Sequence, residues 1–282
     1  MNIGIFAKTF VRASLAETLD AVAAHDIDTV QFNLACAGLP SMPDSLSDEL
    51  IADIRRQMDA RGLKMAAISG TFNMIHPDAA QREAGLRRLA VMAAACHRLD
   101  THVITLCTGT RDPKNMWNRH PDNDTPAAWA DLLACLTSAL QTAEQHDLTL
   151  AFEPEVANVI DTAAKGRRLL DEVRSPRLKV VLDAANLFRA GDLARMPAVL
   201  QEAFDNLGND LVLAHAKDLA HDGEAGHQAA GTGVLDYDRY LALLAQHGYT
   251  GPLILHSLEE DQVDPAVAFL RGKLAALAAR AA

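Results

Sequence analysis

The feature that most constrains the fold is a regular alternation of short apolar runs with longer amphipathic, Ala- and Leu-rich stretches along the whole chain. Such alternation is typical of repeated β-strand and α-helix units, in which helices cover a parallel sheet. Eight strands are expected, at residues 2–7, 29–34, 64–70, 102–109, 148–153, 179–183, 211–218 and 252–256.

Helix signals fill most of the stretches between these runs. Ser14 and Glu17 form a capping-box pattern at the start of the first helix. Further helices are expected at residues 47–61, 78–99 and 127–146, in a stretch that ends at about residue 173, at 196–207 and in the Ala-rich C-terminal stretch. The GTG at residues 231–233 is interpreted as a tight turn, because it lacks the glycines and strand-to-helix context of a nucleotide cradle. We therefore predict one α/β domain over residues 1–282, a (β/α)8 TIM barrel.

Four of the apolar runs end on a residue type that binds metals. They end at Glu153, Asp183, His215 and His256. A charge or an imidazole at the end of a buried strand is costly unless it is paired or ligated. In a (β/α)8 barrel the active site lies at the carboxyl ends of the strands, where all four residues fall. We therefore predict one shared divalent-metal site.

The spacing of apolar residues in these runs also predicts the barrel interior. Alternate residues of a strand point to the same side. Counting back from the four polar residues, the positions expected to fill the barrel below them are Ala151, Val181, Leu211, Leu213 and Ile254.

Composition narrows the class of partner. The formal net charge is −11, which gives no electrostatic reason to expect a nucleic acid. No run approaches the roughly 18 apolar residues of a membrane span. The four cysteines include no CxxC pair, and the chain opens directly on a strand. These features predict a cytoplasmic protein with reduced thiols that acts on a small molecule.

Several stretches of the chain resemble the xylose isomerase-like barrels, which include sugar 3-epimerases, hydroxypyruvate and inosose-type isomerases and the endonuclease IV group. The resemblance follows strand order along nearly the whole chain and is strongest from Glu153 onward. The stretches that carry it are LAFEPE around Glu153, VVLDAAN around Asp183, LAHAKD around His215, GTGVLDY at 231–237 and GYTGPLILH at 248–256.

The resemblance implies a divalent metal, Mn, Co, Zn, Mg or Fe, held by a Glu, an Asp, a His and a Glu after strands five to eight. The first three positions fall on Glu153, Asp183 and His215, whereas the fourth falls on His256. In the family the two glutamates are also the acid/base pair. His256 is therefore expected either to ligate the metal or to act as a base, and Glu259 and Glu260 lie just beyond it.

Other residues are candidates for substrate contact. Glu155 is two residues after Glu153 and is expected to point to the same side. Asn186 stands where relatives often have a histidine. Lys217 has the parity of His215 and suits an oxyanion, a phosphate or a carboxylate, or else it pairs with Asp218. Loop residues form a further group of candidates: His76, Arg111, Asn115, Trp117 and His120.

The function expected from the resemblance is a metal-dependent isomerase or epimerase of a sugar, a sugar phosphate or a small hydroxy-keto acid. Glu153 is the first choice for the base, and His256 or Glu155 is its proton partner. The alternatives are an inosose-type dehydratase at the same site and a sugar-binding barrel without catalysis. Relatives commonly form dimers or tetramers, which makes a homo-oligomer an expectation here.

The endonuclease branch fits the sequence less well. Its three-metal cluster uses additional histidines after strands three, four and six. The chain has Ser69 or Asn73, Cys107 or Thr108, and Asn186 at those places. The acidic balance also lacks the basic surface that a phosphate backbone requires.

Overall fold

Eight parallel strands close into a barrel in the computed structural model, which describes residues 1–281. Residues 1–281 contain nine strands in all, in chain order β1 (Asn2–Phe6), β2 (Thr29–Phe32), β3 (Lys64–Ser69), β4 (Val103–Cys107), β5 (Thr149–Glu153), β6 (Leu178–Asp183), β7 (Leu211–Asp218), β8 (Gln228–Ala229) and β9 (Pro252–Leu255). Each barrel strand pairs with the next, and β9 closes the ring by pairing with both β7 and β1. Of these nine strands, β8 lies outside the ring.

Eight α-helices within residues 1–281 surround the barrel. They are α1 (Leu15–Ala23), α2 (Asp48–Asp59), α3 (Ala79–Cys96), α4 (Pro126–Gln145), α5 (Ala163–Val173), α6 (Met196–Leu207), α7 (Tyr237–Gln246) and α8 (Val263–Ala281). The capping box of Ser14 and Glu17 starts α1 as predicted. The predicted (β/α)8 barrel is thus confirmed. None of the helices in residues 1–281 combines the length and the hydropathy of a membrane span.

The barrel interior is a small apolar layer separate from the larger core between strands and helices. It contains Ala67, Ala151, Val181, Leu213 and Ile254, all at most 1% exposed. Four of the five positions predicted from strand parity are therefore confirmed. The prediction for Leu211 was wrong. This residue starts β7, is half-buried, and packs against the outer core.

The segment between β7 and α7 is more structured than the sequence analysis indicated. β8 pairs antiparallel with the end of β7, with Lys217 opposite Ala229. The buried carboxylate of Asp218 accepts hydrogen bonds from the backbone N–H groups of Leu219, Gly231 and Leu235 at 2.9–3.1 Å. Asp218 therefore holds this loop in place.

The longest loop, between β4 and α4, is tied down by buried polar groups. The Asn123 side chain accepts hydrogen bonds from Thr110 Oγ1 and Arg111 N, and it donates one to the carbonyl of Ala157. Asp161, in the next loop, is 1% exposed and lies 2.8 Å from Arg119 Nη1. These contacts fix the loop on the carboxyl side of the barrel.

Candidate metal centre and active site

Three potential metal ligands converge at the carboxyl end of the barrel. Asp183 ends β6, His215 lies opposite it in β7, and His256 directly follows β9. One ligand atom from each of the three lies within 4.8 Å of the others. The parallel register of the strands brings together side chains that are up to 73 residues apart, from 183 to 256.

His215 is 2% exposed and its two ring nitrogens face different groups. Nε2 lies 2.9 Å from Oε1 of Gln31. Nδ1 lies 3.4 Å from Asp183 Oδ2 and 3.6 Å from Glu153 Oε1. Burial disfavours the charged ring, but the two carboxylates outweigh it and raise the pKa of His215 to about 9.

Gln31 fixes the orientation of this imidazole, and the sequence analysis missed it. Its amide nitrogen donates hydrogen bonds to Ser69 Oγ at 3.1 Å and to Thr105 Oγ1 at 3.3 Å. The amide oxygen is then left to accept the Nε2–H of His215. Because Nε2 is bonded to Gln31, Nδ1 is the ring nitrogen that faces the two carboxylates. In the run TVQF, the sequence shows an amide in a strand expected to be buried, but it does not indicate that this amide bonds to a histidine.

Asp183 is fully buried and uses its two oxygens differently. Oδ1 accepts the backbone N–H of Ala185, which caps the short turn after β6. Oδ2 faces His215 and lies 3.0 Å from Lys217 Nζ. Burial alone would raise the pKa of Asp183, but the positive charge of Lys217 and the contact with His215 lower it well below its usual range.

Two buried atoms at this centre lack a well-oriented hydrogen bond within residues 1–281. They are Asp183 Oδ2 and His215 Nδ1. Buried polar atoms without partners are rare in folded proteins and call for a specific explanation. Carboxylate oxygen and neutral imidazole nitrogen are ligands for Mn²⁺, Co²⁺, Zn²⁺ and Fe²⁺. The donor set therefore fits a divalent metal.

Glu153 is connected to the centre through a short polar chain. Its side chain is 22% exposed, and Oε1 accepts a hydrogen bond of 2.7 Å from Asn186 Nδ2. The oxygen of the same amide accepts a 2.7 Å bond from Lys217 Nζ. Lys217 thus pairs with Asp183 inside the barrel mouth, and the alternative pairing with Asp218 was wrong.

His256 packs against aromatic rings at the edge of the centre. Its ring stacks on His215 with centroids 5.1 Å apart and lies 5.3 Å from the ring of Phe6. Burial, followed by the charges of Lys217 and His215, lowers the pKa of His256 well below its usual range. Ser257 follows with a φ of 52°, an uncommon conformation for a residue other than glycine.

The sequence analysis also missed His227. The charge of His227 contributes to the lowered pKa of His256. His227 precedes β8, whose Ala229 lies opposite Lys217 in the antiparallel pair. Residues two apart in a strand share a face. Because Ala229 lies opposite Lys217, the register puts His227 and Lys217 on the same face of the β7–β8 pair.

Glu155 faces its own loop. Its carboxylate accepts hydrogen bonds from Ala157 N at 3.0 Å and from the side chain of Asn158. Burial, with a smaller contribution from Glu153, raises the pKa of Glu155 to about 7. The charge of Glu153 therefore affects the Glu155 carboxyl, but the hydrogen bonds of Glu155 are made within the loop after β5.

Within residues 1–281, the candidate loop residues make their contacts away from the metal centre. The Arg111 guanidinium pairs with Asp131 of α4 at 2.7 Å. His76 contacts the carbonyl of Pro113, and Trp117 is 57% exposed. Asn115 and His120 cap turns within their own loop. Glu260, which follows His256 in the chain, pairs with Arg12.

A surface cavity lies at the other end of the barrel. It has a volume of about 660 Å³ and opens at the amino ends of β6 and β7, lined by Arg167, Lys179 and Asp210. In (β/α)8 barrels that face serves stability. The converging ligands, and not the size of a cavity, therefore identify the functional end.

Comparisons with known proteins agree with this architecture. The model of the xylose isomerase-like TIM barrel family matches residues 19–273. An L-ribulose 3-epimerase of Methylomonas sp. (strain DH-1) is 31% identical over 110 residues, which are 38% of this chain and 34% of that protein. The chain's matches span about a third of the length of its curated relatives.

Solved structures share the fold over the whole chain. A D-tagatose 3-epimerase-like protein superposes with a TM-score of 0.78 at 14% identity, covering 100% of both chains. A probable 3-DHS dehydratase from Bacillus anthracis gives a TM-score of 0.73 at 13% identity, covering 96% of this chain and 99% of that one. At these identities the likeness establishes the fold.

Proposed function

Because the chain belongs to the xylose isomerase-like TIM barrel family, we propose that it is a divalent-metal-dependent isomerase or epimerase of a sugar, a sugar phosphate or a small hydroxy-keto acid. The observation that carries the proposal is the meeting of Asp183, His215 and His256 beside Glu153, where two buried ligand atoms make no well-oriented hydrogen bond within residues 1–281. Asp183, His215, His256 and Glu153 would hold the ion, which supplies the polarisation that makes a C–H next to a carbonyl acidic.

Glu153 is the residue we assign to proton removal. Its carboxylate is the more exposed of the two acids at the centre, 22% against 0% for Asp183. The Asn186 amide orients one of its oxygens, and Lys217 in turn orients that amide. A base must be held within hydrogen-bond reach of the proton it takes, and this chain of contacts provides the support.

His256 is the proposed proton partner or fourth ligand, with Glu155 as the alternative partner. The ring of His256 is neutral at neutral pH, since its pKa lies well below the usual range. A neutral imidazole can either bind a metal or accept a proton. The relatives named as 3-epimerases and the chain's own charged residues both support proton transfer on a sugar-like molecule.

Dehydration at the same centre is the second candidate. It is supported by the imidazole in the fourth position, because an elimination needs one base and one acid and does not require two carboxylates. The structural neighbour named as a probable 3-DHS dehydratase supports the same reading.

Solvent exchange tests the proposal. The protein loaded with Mn²⁺ is incubated with ketoses and keto acids in D₂O, and deuterium incorporation is followed by NMR. We expect exchange at one carbon next to the carbonyl, its loss by at least about 100-fold in Glu153→Gln, and no change in Glu202→Gln on the exposed surface of α6. The amide oxygen that replaces the carboxylate is a weaker ligand, so exchange in Glu153→Gln is compared with the wild type at a Mn²⁺ concentration that loads both. Metal binding without exchange in the wild type would instead indicate a sugar-binding barrel.

A further inference from the structure

The three ligands that converge at the candidate metal centre are two imidazoles and one carboxylate. One ligand atom each of Asp183, His215 and His256 lies within 4.8 Å of the others. Glu153 lies beside them, with its Oε1 3.6 Å from Nδ1 of His215. An ion bound by all four side chains would therefore have two nitrogen and two oxygen donors.

The ring of His256 is held by its neighbours. It stacks on the ring of His215 with an angle of 22° between the planes, and it packs against Phe6. Its Nδ1 lies 3.2 Å from Ser257 Oγ, which can accept the Nδ1–H. Nε2 is then the nitrogen that presents a lone pair to a metal. His215, whose Nε2 is bonded to Gln31, presents Nδ1 in the same way.

The oxygen donors of the centre share their charge with other partners. Asp183 Oδ1 accepts the backbone N–H of Ala185, and Oδ2 lies 3.0 Å from the ammonium of Lys217. This ammonium attracts the same negative charge that would hold a metal ion. Glu153 Oε1 likewise accepts a hydrogen bond from Asn186. An ion that binds through charge on oxygen alone therefore gains less here than an ion that also bonds well to nitrogen.

Metal ions differ in the donors they favour. Mg²⁺ prefers oxygen ligands and loses its water reluctantly, and carboxylates also suit Mn²⁺, whereas imidazole suits Zn²⁺ and Fe²⁺. We infer that this centre selects a borderline transition metal, Zn²⁺, Co²⁺ or Fe²⁺, over Mg²⁺ and Mn²⁺, and that His256 sets this selection. The inference rests on the proposed function and specifies the ion of its metal centre. Mn²⁺ supplied alone still loads the centre, because the selection is between competing ions.

The test measures the affinities of the metal-free protein for Mg²⁺, Mn²⁺, Co²⁺ and Zn²⁺ by competition with fluorescent chelators. Protein sites in general bind Zn²⁺ more tightly than Mn²⁺, so this preference in the wild type is not sufficient evidence. The decisive quantity is the change in the ratio of Zn²⁺ to Mn²⁺ affinity when the imidazole of His256 is replaced by an oxygen donor.

Two variants make that replacement. We expect His256→Glu to lower the ratio of Zn²⁺ to Mn²⁺ affinity by at least about tenfold and to strengthen Mg²⁺ binding. His256→Gln supplies a neutral oxygen, so a fall of the ratio in this variant too separates the type of donor from the added charge. His221→Glu is the matched control, because the His221 side chain is 66% exposed and pairs with Glu224. Its ratio should equal that of the wild type, and circular dichroism confirms that each variant is folded.

Pulsed electron paramagnetic resonance of the Mn²⁺-loaded protein gives a second readout that does not depend on activity. It detects nitrogen nuclei bonded to the ion. We expect couplings from two imidazoles in the wild type and from one in His256→Gln, because His215 remains as a ligand.

Three results would overturn the inference. They are an unchanged ratio in both His256 variants, coupling from a single imidazole in the wild type, and binding of Mg²⁺ by the wild type as tightly as Zn²⁺. In each case a metal is still bound, so the proposed function stands, with His256 as the proton partner where it does not ligate. If the wild type binds none of the four ions, the proposed function itself fails.

Discussion

His215 Nε2 lies 2.9 Å from the amide oxygen of Gln31, a residue 184 positions earlier in the chain. This bond connects β2 to β7 across the barrel and turns the other ring nitrogen toward Asp183 and Glu153. Partners of this kind set the tautomer of a ligating histidine and raise its basicity. The metal affinity of the centre should therefore depend on a residue that does not touch the metal.

We predict that Gln31→Leu lowers Mn²⁺ affinity by about 10- to 100-fold, because the His215 ring loses its fixed orientation. The affinity is measured by competition with a fluorescent chelator. Gln201→Leu serves as the control, since Gln201 of α6 bonds to Asp205 and to Arg239 of α7, away from the centre. Equal affinities in Gln31→Leu and the wild type would show that the bond does not support the centre.

Asn186 should affect proton transfer more than metal binding. Asn186→Ala removes the donor to Glu153 Oε1 and the acceptor for Lys217. We expect the exchange rate to fall by about 10- to 100-fold, because the base is no longer held in place, whereas Mn²⁺ content stays near that of the wild type. Parallel losses of metal and exchange would contradict this division of roles.

The long loop between β4 and α4 should depend on Asp161. This carboxylate is 1% exposed and contacts both Arg119 and Lys165 at 2.8 Å. Asp161→Ala removes a buried partner of two cations, and we expect the free energy of unfolding to fall by about 1–3 kcal/mol. Limited proteolysis should cut the loop faster in the variant. Proteolysis at the wild-type rate would show that other contacts hold the loop.

Acid stability should depend on Asp210 at the opposite end of the barrel. Burial opposes ionisation of this carboxyl, but hydrogen bonds from Lys179 and Arg167 hold its pKa below the usual range. A carboxyl with a depressed folded pKa stabilises the protein above its unfolded pKa, about 3.9 for aspartate, and loses that contribution as pH falls through the folded value.

We therefore expect Asp210→Asn to be less stable than the wild type at pH 7 by about 1 kcal/mol, with the difference shrinking as the pH falls below about 4. Urea unfolding at a series of pH values measures the difference. A constant difference across that range would mean that Asp210 contributes through packing and not through its charge.

The sequence predicted the features that depend on local pattern. Eight apolar runs indicated the barrel, and strand parity correctly put Val181, Leu213 and Ile254 inside it. The convergence of Asp183 and His215 followed from the rule that parallel strands carry their sites at their carboxyl ends. Each of these inferences needs only the period of a strand and the order of the strands.

Features that depend on distant partners could not be predicted in this way. Nothing within the run TVQF indicates that Gln31 bonds to His215. Arg111 has the chemistry of a substrate-binding residue, yet Asp131 of α4 takes its guanidinium. Helix α7 was not predicted, although Asp236, the residue before it, caps the helix by accepting a hydrogen bond from Arg239 N. Pairing choices of this kind are decided by the folded surroundings.

The central claim is that the carboxyl ends of β5, β6, β7 and β9 hold a divalent metal. The most direct test is plasma mass spectrometry of the protein after incubation with Mn²⁺ and removal of free ion, repeated on Asp183→Ala and His256→Ala. The account predicts close to one ion per chain in the wild type and a marked loss in both variants. A wild-type protein that retains no Mn²⁺, Co²⁺ or Zn²⁺, or variants that retain as much as the wild type, would contradict it.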